Sequence, residues 1–184
     1  MKQSLDIRVL LIACSAALHG QDPGVPARWM GTWSLDVSKS TFATILTPGV
    51  PAGSAIVSQK LTLAGTAQAI RLSGDTVMSG STGSHSGHDD NSLALDGKET
   101  VVGPVSLSFR PIDGSAFEIL TRLNLGNRSF VEVSHFSFSP DGKTLTETKT
   151  QTETESGRQG SDETKGAARK SSTSILVFHK VSEK

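Results

Sequence analysis

The chain has 184 residues, which suits one domain, and its 18 basic residues balance 18 acidic ones. A formal net charge of zero excludes the basic excess of a nucleic-acid binder and gives no strong attraction to an anionic membrane. Seven Phe, two Trp and no Tyr lead to the expectation of a small core built mostly from Leu, Val and Ile.

Residues 1–20 are expected to be a signal peptide. Lys2 and Arg8 form a basic start, diluted by Asp6, and Val9 to Leu18 form the apolar stretch. That stretch is too short for a bilayer span, which needs roughly 20 apolar residues. Secretion or periplasmic export is therefore expected, with cleavage near Gly20 and no transmembrane span. Leu11-Ile12-Ala13-Cys14 also resembles a lipobox, so lipid anchoring through Cys14 is the lesser alternative. Cys14 is the only cysteine; cleavage beyond it leaves a mature chain without disulfides.

Residues 21–28 read as an extended, Pro- and Gly-containing leader, and 29–184 as one barrel domain. Trp29 to Val37 is the first expected strand. Ser38 to Gly53 reads as a lid-like excursion, with a short helical turn near Ser40 to Ile45 that Ser40 would cap. Ala55 to Leu63, Gln68 to Leu72 and Thr76 to Ser79 follow as strands. Residues 80–91, rich in Gly, Ser and His, read as a polar loop. Strand signals then recur at Ser92 to Leu95, Glu99 to Val102, Val105 to Arg110, Phe117 to Asn124, Ser129 to Phe138 and Thr144 to Thr154. Asp96-Gly97, Asp113-Gly114, Gly126-Asn127 and Asp141-Gly142 separate them, because tight hairpin turns need positive φ, which Gly allows and Asp or Asn tolerates. Residues 157–170 read as a second polar loop, and Thr173 to Val181 as the closing strand. The spacing predicts an all-β, antiparallel up-and-down barrel of about 8–10 strands, its last strand pairing with its first.

Gly31-Thr32-Trp33-Ser34-Leu35-Asp36-Val37-Ser38-Lys39-Ser40 resembles the opening of small exported bacterial lipocalin-like proteins of the Acidobacteria type. The resemblance continues through Leu95-Asp96-Gly97-Lys98, Ser139 to Thr146 and Val177-Phe178-His179-Lys180. It implies a lipocalin-like barrel, export and largely uncharacterised function. It also implies a structural closed-end motif in which Gly31 and Trp33 lie beneath a basic residue, Lys180 or Arg169.

Four constellations bear on function. The barrel interior is a candidate pocket for a small apolar or amphipathic ligand; the alternative is a packed barrel serving as a structural or envelope-interaction protein, its protein partner unknown. Thr144 to Thr154 alternates threonine with Leu145, Glu147, Lys149, Gln151, Glu153 and Glu155. With the charged set expected in solvent, the threonines face inward, so Thr146, Thr148 and Thr150 with Phe130 and Phe136 are the candidate ligand-binding residues. His85 and His88, next to Asp89 and Asp90, are weak metal candidates on a poorly preorganised loop, and no metal or cofactor is expected. Glu118 and Glu132, near Arg110 and Arg122, are expected as outer-face ion pairs. No Gly-x-Ser-x-Gly, phosphate-cradling loop or nucleophile with a base is evident, so no enzyme activity is inferred.

Overall fold

The computed structural model describes residues 24–44, 50, 53–81, 83–155 and 168–181. The expected signal peptide and most of the expected loop at 157–170 lie outside these residues. Ten strands form one antiparallel sheet: β1 (Gly31–Leu35), β2 (Ala55–Gly65), β3 (Ala69–Gly80), β4 (Gly83–Ala94), β5 (Thr100–Val102), β6 (Val105–Asp113), β7 (Ala116–Leu125), β8 (Arg128–Phe138), β9 (Thr144–Glu155) and β10 (Ala168–Lys180). The spatial order is β4-β3-β2-β1-β10-β9-β8-β7-β6-β5. Each strand pairs with its sequence neighbour except at one place, and β10 returns to β1, with Trp33 opposite Lys180 and Leu35 opposite Phe178. This is an up-and-down, nearly closed barrel, as the turn spacing predicts. Its seam lies between β4 and β5, where β4 lies against β6 without a shared ladder.

Two of the three Asp-Gly pairs close hairpins: Asp113-Gly114 joins β6 to β7 and Asp141-Gly142 joins β8 to β9, whereas Asp96-Gly97 lies at the seam, where β4 and β5 do not pair. At Ser139 to Thr144, the Asp141 carboxylate accepts hydrogen bonds from the Lys143 amide (3.1 Å) and the Ser139 hydroxyl (2.6 Å), while Gly142 takes φ +65°. That turn sets Phe138 opposite Leu145 and so fixes the register of the β8–β9 hairpin.

Five expectations are corrected. The core is as much aromatic as aliphatic: among the described residues Trp29, Trp33 and six Phe are buried beside Leu and Ile, and no Val is. Residues 80–91 are mostly strand: β3 and β4 pair without interruption from Ala69–Ala94 to Gly80–Gly83. The polar composition of β4 follows from its exposure, and the ladder with β3 supplies the backbone partners that its side chains do not demand. The closing strand begins at Ala168, inside the stretch expected as loop. The helical turn sits at Val37–Lys39, ahead of Ser40, and Asp36 caps it by accepting from the Ser38 amide at 3.1 Å. A further 3-10 turn, Ala27–Trp29, occupies the expected leader.

Candidate functional site

The two ends of the barrel differ. One is plugged by aromatic rings. Trp29, Trp33, Phe117 and Phe138 are buried together with Phe109 and Phe136, and Trp29 stacks on Phe138 with ring centroids 5.5 Å apart. Both indole N–H groups have partners: Trp33 Nε1 donates to the Trp29 carbonyl and Trp29 Nε1 to the Gly114 carbonyl, each at 3.2 Å. The Lys180 ammonium lies 5.2 Å from the centroid of the Trp33 ring. Gly31 permits this, because its φ is +122° and a Cβ there would meet Lys180 Cε at 3.0 Å. Gly31, Trp33 and Lys180 thus make up the closed-end motif, and Arg169, opposite Thr154 at the far end of the β9–β10 ladder, takes no part in it.

Above the plug lies a cavity of about 820 Å³. Leu72, Leu107, Ile119 and Leu123 contribute apolar wall, and Phe42 and Ala43 from the β1–β2 connection lie against it. Phe130 and Phe136 line it, as expected. The threonines do not behave as expected. Leu145 is fully buried, and the residues sharing its parity face inward with it: Glu147 and Glu153 are buried, and Glu147, Lys149 and Gln151 line the cavity. Thr146, Thr148 and Thr150 therefore face outward, Thr150 pairing hydroxyls with Thr173 at 3.2 Å on the outer surface. The reason is the hairpin. Phe138 must bury, Leu145 opposes it, and a strand's period of two carries that orientation along all of β9.

This inversion puts charge inside the barrel. Lys149 Nζ sits 3.3 Å from Glu147 Oε1 and 3.5 Å from Glu132 Oε1. Gln151 Nε2 donates to the other Glu132 oxygen at 2.7 Å, and Ser134 Oγ approaches Glu132 Oε1 at 3.5 Å. Burial pulls the Lys149 pKa down, but the Glu147 and Glu132 carboxylates outweigh it and hold the ammonium above its ordinary range. Lys149 is thus a fixed cation, poorly suited to act as a nucleophile or base. Glu132 belongs to this interior group, which corrects its expected place on the outer face. Glu118 does pair outside, with Arg110 opposite it on β6, and Arg122 pairs with Glu99. Gln59 Oε1 and Ser54 Oγ, both on residues lining the cavity, are buried and have no hydrogen-bond partner.

The two histidines are not brought together. Residues three apart in a strand point to opposite faces. His88 pairs on the outside with Asp75 at 2.7 Å, and Asp90 pairs with Arg71. No group of three metal-ligating side chains occurs among the described residues. No described helix is long and apolar enough to cross a membrane. The interior charge could have been found in the sequence from Leu145, whose parity it shares. The buried acceptors on Gln59 and Ser54 carry no sequence signal.

These features define a class: a ten-stranded antiparallel barrel with an aromatic closed end and a mixed apolar and charged cavity. No protein-family model matches the chain, and no curated protein or solved structure matches it.

Proposed function

We propose that the protein is an exported, lipocalin-like binding barrel that holds one small amphipathic molecule in its cavity without chemically changing it. One observation carries the reading: a concave space of about 820 Å³ whose largely apolar wall is interrupted by a few converging polar groups, the usual composition of a small-molecule site. The signal-like pattern of residues 1–20 supports export, and Gly31, Trp33 and Lys180 support the lipocalin-like kinship. A packed barrel acting only as a structural partner would fill this space with Phe and Leu, whereas Lys149, Glu132 and Gln151 occupy its wall. Native mass spectrometry of protein taken from the cells that make it tests the reading. The expected result is a bound small molecule that organic solvent releases. An empty barrel that also gives no thermal shift across a library of lipids and metabolites overturns it.

A further inference from the structure

From the charges and unmet acceptors of the cavity wall, we infer that the ligand is a cationic amphiphile, an aliphatic chain or ring system ending in a protonated amine. This rests on the reading of the cavity as a binding site. Among the described residues, Glu132, Glu147 and the exposed Asp89 line the cavity against one basic side chain, Lys149. Lys149 already lies between Glu132 and Glu147, so its one positive charge offsets only one of theirs. An unoffset charge in a low-dielectric interior is costly, and an entering ammonium relieves that cost where a neutral group does not.

The hydrogen-bonding inventory points the same way. Gln59 and Ser54, two residues of the cavity lining, each carry a buried oxygen without a hydrogen-bond partner. An amide oxygen can only accept, and an alkylammonium supplies three N–H donors and no acceptor. The apolar surface of Leu72, Leu107 and Ile119 holds the hydrocarbon part. A carboxylate-headed lipid meets the opposite situation. Its one cationic partner among the described lining residues would be Lys149, already engaged twice, and its head would face Glu132 and Glu147; such like-charge contact discriminates as strongly as any attraction.

Calorimetric titration of the full chain at pH 7 with three twelve-carbon probes, each below its micellar concentration, tests this. The probes are dodecylamine, dodecan-1-ol and dodecanoate, which share a tail and differ in head group. Dodecylamine is expected to bind about tenfold tighter than dodecanol, and dodecanoate more weakly than dodecanol. Glu132→Gln is expected to bring the amine-to-alcohol ratio towards one. If that variant does not fold, the ratios on the unaltered protein decide alone. Equal affinity for all three, or preference for dodecanoate, overturns the amine inference and leaves the cavity as a binding site. Failure of all three to bind overturns the binding reading as well.

Discussion

Trp33 is fully buried, hydrogen-bonded to the chain before it, and covered by a lysine from the last strand. Its removal opens a large void at the closed end, so Trp33→Ala is expected to cost about 3–5 kcal/mol in urea unfolding. Lys180→Met keeps most of the aliphatic cover and loses the charge over the ring, so it should cost only about 0.5–1 kcal/mol. The lysine therefore covers a tryptophan that the core holds, and a larger loss for Lys180→Met than for Trp33→Ala would contradict that order. His88 offers a separate test on the outer face. Its hydrogen bond to Asp75 raises the imidazole pKa, with burial opposing and the Asp75, Asp90 and Asp89 charges adding. A group whose pKa is raised on folding stabilises the folded state below its unfolded value, near 6.5, and loses that contribution as pH climbs through the folded value. NMR titration should put the His88 midpoint above 6.5, and Asp75→Asn should bring it back towards that value.

At the scale of the element, β9 carries the lesson about sequence and structure. Alternation along Thr144 to Glu155 is plain in the sequence, and it correctly marks a strand. Which face turns inward is a different matter, because hydrophilicity alone sends the charged set to solvent. Two facts decide otherwise: Leu145 shares parity with Glu147, and the Asp141-Gly142 turn opposes it to Phe138. The fold was thus legible from turns and alternation, and half of the site with it, since Phe130 and Phe136 do line the cavity. The charged lining carries no local mark, because hydrophilicity reads as solvent exposure; only the parity it shares with Leu145 places it inside, where Lys149 meets Glu147 on its own strand and Glu132 across the β8–β9 hairpin. β4 was hidden for a related reason, its backbone ladder being supplied by β3. The pairing in β9 makes a quantitative prediction. Lys149→Met leaves Glu132 and Glu147 together in the cavity without their cation, and should cost about 3 kcal/mol at pH 7. Replacing Glu132 and Glu147 by Gln as well should shrink the loss that Lys149→Met causes in denaturation, because no charges are then left to repel. An undiminished loss in that background would mean that the lysine acts by packing alone.

For the whole molecule, closure is uneven. β10 joins β1 by a ladder, but β4 and β5 do not share one, so the barrel has one seam. The β8–β9–β10 ladders lie away from that seam in the strand order and carry Phe130, Phe136, Phe138 and Phe178. Opening should therefore begin at β4, whose side chains are largely exposed. Hydrogen exchange should show β4 amides at least about tenfold faster than those of β9, and equal rates would argue that the barrel opens as one unit. Titration with the fluorescent probe 1-aminoanthracene tests most directly whether the cavity takes up a small apolar-bodied molecule. The unaltered barrel should give a saturable rise in emission at one probe per chain, and Thr121→Trp, which fills the wall beside Leu107 and Glu132, should abolish it while keeping the thermal midpoint. No saturable rise, or the same rise in the filled variant, would contradict the account.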